Sequence, residues 1–245
     1  MDKGTLDLFL SGKVRAYQHP KGYKSGTDAV LLASIINNTK QGTCLEIGCG
    51  VGVASLCLAA RLPNIHIIGL EKQEDFFYLA CKNAELNNFS TSSFQPLLGN
   101  ILTYKFTEQF QVVFANPPYY VNKEHKKEFT LKEMGNMETD ATLGHFIDFA
   151  FKSLKNHGYL YIIQSSERFQ EMMQYFTLKH WGNIEIFPIY SYNNKPATRF
   201  IVKAKKIGNN VSKIHNGIIM HNDDKTYSNH AVNILKHGKS FFYNL

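Results

Sequence analysis

Five short apolar runs recur along the first two thirds of this 245-residue chain, and their spacing most constrains how the chain can fold. Most of them are followed by a helical pattern, which is typical of strands connected by crossover helices. The predicted strands span 42–47, 65–70, 93–98, 112–115 and 159–163, and the predicted helices 53–62, 75–87, 141–155 and 166–180. This alternation predicts an α/β fold with a doubly wound, mostly parallel, Rossmann-like sheet.

Two further predicted strands, 184–190 and 198–204, are joined by a short loop without a helix. We therefore expect them to form an antiparallel hairpin at one edge of the sheet. Residues 122–140 read as a polar, lysine-rich loop. We expect one domain over 1–245, made of an N-terminal segment (1–40), a core (41–206) and a C-terminal extension (207–245).

Composition narrows the class of protein. The four cysteines form no C-x-x-C pair, and the ten histidines form no H-E-x-x-H motif, so we expect reduced thiols and no metal site. There is no signal-peptide pattern and no apolar run of membrane-spanning length, which favours a cytoplasmic protein without a membrane partner. A net charge of +7 weakly favours a polyanionic partner such as nucleic acid.

A glycine-rich turn follows the first predicted strand. Glu46 precedes Gly48, Gly50 and Gly52, and glycines there allow a sharp turn and close approach of a ligand. The spacing is G-x-G-x-G rather than the dinucleotide G-x-G-x-x-G. An acidic residue beside the glycines would repel a pyrophosphate but suits a cationic, amino-bearing ligand. The turn therefore favours S-adenosyl-L-methionine over NAD.

Four more residues are candidates for binding this cofactor. Glu71 ends the second strand, where a carboxylate can bind both ribose hydroxyls; alternatively it is a solvated acid. Asn100 follows the third strand and either meets the adenine edge or only forms a turn. Thr27 or Asp28 either caps the helix that begins there or contacts the amino-acid end of the cofactor.

The motif Asn116-Pro117-Pro118-Tyr119 directly follows the fourth strand. Two prolines end sheet pairing and fix the turn. The Asn116 side-chain oxygen and the Pro117 carbonyl can accept the two protons of a planar amino group while the Tyr119 ring stacks on it. As its protons are polarised, the amino nitrogen becomes a nucleophile. We therefore predict that Asn116, Pro117 and Tyr119 are catalytic and that Asn116 also contacts the cofactor; the alternative is an ordinary Pro-Pro turn capped by asparagine.

These features together resemble the class I adenine or amide N-methyltransferases, and most closely the bacterial tRNA1(Val) adenine-37 N6-methyltransferase family. The resemblance extends over nearly the whole chain, through segments 25–32, 45–61, 114–120, 196–200, 225–228 and 242–243. It implies a methyltransferase sheet, S-adenosyl-L-methionine as cofactor, and methylation of adenine N6 in tRNA, at nucleotide 37 of the anticodon loop. We expect the enzyme to act as a monomer.

The chain departs from that family at two places. Asn100 stands where the family commonly has aspartate, and the loop after the motif carries Lys126, Lys127 and Lys132 where the family has arginine. Lysine neutralises phosphate but lacks the bidentate fork of arginine. The expected RNA-binding charges are this loop and the basic side chains Lys13, Arg15, Lys21, Lys24, Lys203, Lys205 and Lys206.

Other functions share parts of this pattern. A protein glutamine N-methyltransferase uses the same motif on an amide, but that family has a sizeable helical N-terminal domain and only 47 residues precede Gly48. A DNA adenine methyltransferase would need a separate target-recognition region. An rRNA base methyltransferase stays open as an alternative. A non-catalytic RNA-binding module would be expected to lose Asn116 or the glycines.

Overall fold

The computed structural model describes residues 4–37, 42–62, 64–89, 93–119 and 140–242. The predicted lysine-rich loop therefore lies outside the described residues, apart from Asp140. The strands are β1 (Thr5–Phe9), β2 (Val14–Gln18), β3 (Thr43–Ile47), β4 (His66–Glu71), β5 (Phe94–Leu98), β6 (Phe110–Ala115), β7 (Leu154–Ser165), β8 (Trp181–Tyr190), β9 (Ala197–Lys206), β10 (Ser212–Ile214) and β11 (Ile218–Ile219). The helices are α1 (Thr27–Ile35), α2 (Val53–Arg61), α3 (Glu74–Leu86), α4 (Leu143–Ser153), α5 (Phe169–Thr177) and α6 (Asn229–Leu235).

A nine-stranded sheet organises the chain, in the order β10-β8-β9-β7-β6-β3-β4-β5, with β11 also pairing with β8. Strands β3 to β7 pair in parallel, whereas β9 is antiparallel to both β7 and β8. The prediction of a doubly wound, mostly parallel sheet with an antiparallel hairpin is confirmed. The short strands β10 and β11 cover the outer edge of that hairpin.

Helices cover both faces of the sheet. Successive side chains of a strand point to opposite faces. Cys44 and Val112 accordingly join the core beneath α1, α2, α3 and α6, whereas their neighbours Leu45 and Val113 join the core beneath α4 and α5. Within the described residues, no helix is long and apolar enough to cross a membrane.

Most predicted elements form within one or two residues of their expected bounds. Two strands begin earlier than expected: the strand predicted over 159–163 spans Leu154–Ser165, and the strand predicted over 184–190 begins at Trp181. Two helices are shorter than expected. The helix expected to reach residue 155 ends at Ser153, because Leu154 already pairs with Phe110 of the neighbouring strand. The helix expected over 166–180 begins as a 3-10 turn and ends as α5 at Thr177, because β8 starts at Trp181.

The N-terminal β1–β2 hairpin was not predicted, and it supports one side of the site. Two asparagines, one within α3 and one directly after it, hold β2 through its backbone. Asn83 accepts from the Tyr17 N–H at 2.7 Å and donates to the Tyr17 carbonyl at 3.0 Å. Asn87 makes the equivalent pair of bonds with Arg15 at 2.8 and 2.7 Å. The hairpin therefore carries the segment between β2 and α1 to a fixed place beside the sheet.

Candidate active site

The predicted site residues meet at the carboxyl ends of four neighbouring parallel strands, β6, β3, β4 and β5. The strand order reverses between β3 and β6, and such switch points are where open α/β sheets bind ligands. We call the cavity here the first cavity. Its lining includes Glu46, Gly48, Gly50, Glu71, Asn100 and Asn116.

The glycine-rich turn forms the floor of the first cavity. The N–H of Gly48 donates to the Leu70 carbonyl at 2.8 Å, which ties the turn to β4. Gly50 has a φ of 55°, and a Cβ placed there would meet no protein atom within 4 Å. Its N–H donates to Glu71 Oε2 at 2.9 Å. Gly50 therefore leaves open space beside the carboxylate that was expected to bind ribose.

Gly52 has a different role. Of the described residues, those lining the first cavity do not include Gly52. Its φ is 89°, and a Cβ there would lie 2.7 Å from the ring of the buried Phe94. The absence of a side chain at Gly52 therefore makes room for the core, and the predicted contact of Gly52 with the cofactor stays a prediction.

Glu71 is buried, so its interpretation as a solvated strand-end acid is wrong. Its two carboxylate oxygens accept from the N–H groups of Gly50 and Gln73, each at 2.9 Å. Burial raises the pKa of this carboxyl, while those backbone donors oppose the rise. The arrangement fixes the carboxylate at the cavity wall, where it can accept hydrogen bonds from a vicinal diol.

Glu46 is the second buried acid of the first cavity. The Ser55 N–H donates to Glu46 Oε2 at 3.1 Å, and the Ser55 hydroxyl donates to the same oxygen. Burial raises the pKa of Glu46 to about 8, against the stabilising hydrogen bonds of Ser55. A cationic group in the cavity would favour the charged form of this carboxyl.

Asn100 lines the first cavity and also forms a turn. Its side-chain oxygen accepts from the Leu102 N–H at 3.0 Å, so the turn-forming interpretation is confirmed for that oxygen. The predicted contact with the adenine edge stays a prediction.

The lining of the first cavity fits S-adenosyl-L-methionine. Two buried carboxyl groups suit a diol and a cationic amino acid, while Phe76, Ile101 and Phe146 offer apolar walls to a planar base. The lysine of the lining, Lys72, is paired with Asp140, so it is not a free cation for a pyrophosphate. Among the described residues, no cluster of His, Cys, Asp or Glu could hold a metal ion.

A second cavity adjoins the first and shares Tyr23, Asn116 and Pro118 with it. Its remaining lining is Lys24, Gly26, Thr27, Asp28, Pro117, Tyr119 and Arg199. Asn116 therefore lies at the junction of the two cavities, whereas Tyr119 belongs to the second.

Tyr23, which was not among the predicted site residues, borders the same cavities as Asn116, and both residues line both cavities. Burial raises the pKa of Tyr23 to about 12, so its hydroxyl stays protonated at neutral pH. The segment that carries Tyr23 is fixed by the buried Gln18, whose amide group bonds to the Ser25 backbone carbonyl and N–H at 2.8 and 3.1 Å.

Tyr119 is held by an ion pair. Its hydroxyl donates to Asp28 Oδ2 at 2.6 Å, and the Arg199 guanidinium donates to Asp28 Oδ1. Burial, together with the negative charge of Asp28, raises the pKa of Tyr119 well above its usual value. Arg199 comes from the start of β9, so three distant segments meet at one carboxylate.

The motif is also supported from beneath. The Pro118 carbonyl accepts from Gln164 Nε2 at 3.2 Å and from the Arg168 guanidinium at 3.1 Å. Arg168 is buried and makes a bidentate pair with Glu171 at 2.8 and 2.6 Å. An arginine three residues before a glutamate at a helix start is the sequence signal that could have found this pair. The role of the Pro117 carbonyl as a proton acceptor stays a prediction.

The expectation that Thr27 or Asp28 caps α1 is wrong, whereas a contact with the cofactor stays a prediction. Gly26 occupies the N-cap of α1 without a side-chain cap, because Thr27 already has helical geometry as the first residue of the helix. Both residues line the second cavity, and the described lining of the first cavity includes neither. Asp28 therefore faces the motif rather than the glycine-rich turn.

Several of the basic residues expected to bind RNA lie elsewhere or are engaged. Lys206 is buried and donates to the Leu154 carbonyl at 2.7 Å, and Lys203 pairs with Glu185 at 2.6 Å. Arg15 donates to the Leu86 carbonyl at the end of α3, near the amino ends of the parallel strands and therefore on the side opposite the cavities. Lys24 is exposed and lines the second cavity.

Known proteins match both the sequence and the fold. The methyltransferase small domain family matches residues 23–186. The tRNA1(Val) (adenine(37)-N6)-methyltransferase of Pedobacter heparinus is 30% identical over 184 residues, which cover 72% of this chain and 74% of the relative. A putative protein N5-glutamine methyltransferase of Methanocaldococcus jannaschii is 32% identical over 151 residues, covering 60% and 74%.

Among solved structures, a predicted O-methyltransferase from Agrobacterium tumefaciens superposes with a TM-score of 0.71 at 20% identity. The match covers 86% of this chain and 96% of that protein, which shows a shared fold. The predictions of a methyltransferase sheet, methyltransferase activity and S-adenosyl-L-methionine as cofactor are confirmed. The chain belongs to the methyltransferase small domain family and, within it, to the family of tRNA1(Val) (adenine(37)-N6)-methyltransferases.

Proposed function

We propose that this methyltransferase methylates the N6 amino group of adenine in tRNA, at nucleotide 37 of the anticodon loop. The proposal rests on the position of Asn116, which lines both cavities. A cofactor bound in the first cavity and a base bound in the second would meet there. The relative from Pedobacter heparinus supports adenine as the acceptor.

S-adenosyl-L-methionine supplies an electrophilic methyl group when it is bound. The residues expected to hold it are Glu71, at the ribose hydroxyls, and Glu46, near the cationic amino-acid end, with Gly48 and Gly50 at the turn. Glu71 is already oriented by two backbone N–H groups, so binding needs little rearrangement of its side chain.

The residues of the motif would then position and polarise the acceptor. An adenine extruded from its loop would stack on the Tyr119 ring. The Asn116 carboxamide oxygen and the Pro117 carbonyl would accept the two amino protons, which favours attack by the nitrogen. Catalysis rests on positioning and electrostatic stabilisation, and it needs no strong base if the proton leaves after methyl transfer.

RNA would approach over the carboxyl edge of the sheet, because both cavities lie there. Lys24 is the basic residue from the N-terminal segment that lines the second cavity, and it is exposed. Lys195, in the loop between β8 and β9, is exposed at the same edge. These two lysines are suited to neutralise phosphates beside an extruded base.

The test is methyl transfer from labelled S-adenosyl-L-methionine to separate pools of unmodified tRNA, rRNA and release-factor protein. We expect label in tRNA as N6-methyladenosine. Asn116→Ala should lower turnover by at least about 100-fold, the effect of losing a preorganised polar group, while cofactor affinity is retained. Asn210→Ala makes the same change at an exposed position and serves as the matched control.

The other acceptors give distinct results. Label in protein would favour the hypothesis of a glutamine N-methyltransferase, which the relative from Methanocaldococcus jannaschii supports. Label in rRNA alone would agree with the proposed chemistry at Asn116 but would show that the substrate is rRNA and not tRNA. Turnover by Asn116→Ala close to that of the unmodified protein would contradict the proposed mechanism.

A further inference from the structure

The Asp28 carboxylate connects three parts of the chain that are far apart in sequence. It accepts from the Tyr119 hydroxyl, 91 residues away, and from Arg199, 171 residues away. All three residues line the second cavity. Asp28 is 13% exposed and Arg199 24%, so the ion pair is largely shielded from water.

This arrangement restricts both rotations of the Tyr119 side chain. The hydrogen bond to Asp28 sets the direction of the ring axis, and because a phenol O–H prefers to lie in the ring plane, the position of the carboxylate also favours one orientation of that plane. A tyrosine ring in a turn can rotate about two side-chain bonds, and a stacked base needs one defined ring plane. The hydroxyl bond of 2.6 Å to a carboxylate is short and charge-assisted, so it anchors the far end of the ring. The near end is fixed by the Pro-Pro turn, whose carbonyl at Pro118 is held by Gln164 and Arg168.

Arg199 in turn anchors Asp28. Without a cation, a mostly buried carboxylate next to a phenol would be costly to keep charged. Arg199 sits at the start of β9, where its backbone pairs with Ser165 at the carboxyl end of β7. The rigid sheet therefore sets the position of the carboxylate, and the carboxylate sets the position of the ring.

We propose that Asp28, held by Arg199, is a positioning residue for the acceptor base: it orients the Tyr119 ring and does not bind the cofactor. The inference rests on the proposed function, because it takes the second cavity as the site of the extruded base. The proposal also separates positioning of the acceptor base from cofactor binding, since a substitution of Asp28 should lower activity toward tRNA and leave cofactor affinity unchanged.

The test compares Asp28→Asn, Tyr119→Phe and the double variant in methyl transfer to tRNA. Each single variant should lower kcat/KM for tRNA by about tenfold to 100-fold, the effect expected from a misplaced reactant. If Asp28 acts through the Tyr119 hydroxyl, the double variant should be no worse than the poorer single variant. Cofactor affinity, measured by calorimetry, should stay within about twofold. Asp223→Asn, at an exposed turn position, is the matched control.

A second readout reports stacking directly. An anticodon stem-loop with 2-aminopurine at the target position has no N6 amino group to react, and its fluorescence falls when the base stacks. Binding to the unmodified protein with S-adenosylhomocysteine should quench it, and Asp28→Asn should reduce the quenching at saturating protein. Fluorescence of the single tryptophan, the buried Trp181, checks that each variant is folded.

The outcomes distinguish the two proposals. Full activity and full quenching in a folded Asp28→Asn variant, while the unmodified protein methylates tRNA, would overturn the positioning role and leave the proposed function intact. Additive losses in the double variant would also overturn it. If the unmodified protein transfers no methyl group to any tRNA, the proposed function fails and the positioning role for a base fails with it.

Discussion

Substitution by alanine should mainly impair cofactor binding at Gly50 and mainly impair stability at Gly52, because Gly50 borders the first cavity and Gly52 borders the core. Gly50→Ala places a methyl group where no protein atom lies within 4 Å. Gly52→Ala places one 2.7 Å from Phe94 Cε1 and 3.7 Å from Ala80 Cβ. Both glycines have positive φ, 55° and 89°, so both variants bear the cost of a left-handed non-glycine residue, about 1–2 kcal/mol.

The stability of the two variants follows from these contacts. Phe94 is 1% exposed, so its ring cannot move aside without displacing other core residues, and such overpacking adds about 1–3 kcal/mol. Gly52→Ala should therefore lose about 3 kcal/mol of unfolding free energy, which is a fall in Tm of roughly 6–12 °C for a chain of this size. Gly50→Ala should lose about 1 kcal/mol, or roughly 2–4 °C.

Cofactor binding should show the reverse order. The methyl group of Gly50→Ala occupies space beside Glu71, so we expect affinity for S-adenosylhomocysteine to fall by about tenfold or more, equivalent to at least 1.4 kcal/mol. Gly52→Ala should bind within about threefold of the unmodified protein at a temperature where it is folded. Calorimetric binding and thermal unfolding of both variants measure the two effects. Normal Tm for Gly52→Ala, or unchanged binding by Gly50→Ala, would refute the division of roles.

Four further outcomes are expected. Glu71→Gln should weaken cofactor affinity by roughly tenfold or more, since it loses a charge-assisted ribose contact; calorimetry measures this. Arg168→Met should cost about 2 kcal/mol of unfolding free energy and lower turnover, because the Pro118 carbonyl loses a buried donor; chemical denaturation and the methyl-transfer assay detect both effects. Lys24→Ala should weaken RNA binding and lower the slope of log affinity against log salt concentration by about one. Lys205→Ala, at the end of the sheet opposite the cavities, should change neither quantity; binding is titrated across salt concentrations.

The fourth outcome is a pH dependence of stability. Burial raises the pKa of Glu46 to about 8 from an ordinary value of 4.5, so the folded protein binds this proton more tightly than the unfolded chain does. The contribution of Glu46 to the free energy of unfolding is therefore greatest at acidic pH and falls as pH rises from about 5 to 8. In thermal unfolding, Glu46→Gln should show a flatter decline of Tm over that range. Parallel pH profiles for the two proteins would contradict the assignment.

The parts of the fold that the sequence predicted are those encoded in local patterns. Strands β3, β4 and β6 are short, mostly apolar runs, and their bounds differ from prediction by at most two residues. The β1–β2 hairpin was missed because its strands are short and partly polar, and its place depends on Asn83 of α3 and on Asn87 directly after that helix. The early end of α4 depends on pairing between Leu154 and Phe110, which no local pattern encodes.

The candidate site divides in the same way. The first cavity could be predicted, because its residues follow consecutive strands and parallel strands bring their carboxyl ends to one edge. Even there, G-x-G-x-G could not distinguish Gly50 from Gly52, since the difference lies in the Phe94 ring across the turn. Whether a glycine contacts a ligand or a core side chain depends on the packing around it.

The second cavity could not be assembled from local patterns, because its walls come from a loop before α1, the turn after β6 and the start of β9. Asp28 illustrates the difficulty. At the start of a helix, an aspartate has a sufficient local explanation in the helix dipole, and that explanation conceals its contact with Tyr119. Arg199 likewise looks like an ordinary strand residue until antiparallel pairing brings the start of β9 to the carboxyl end of β7. The cofactor side of the site is thus encoded by consecutive strand ends, whereas the acceptor side depends on long-range pairs. Exchanging those pairs would be a physical route to a different acceptor on the same motif.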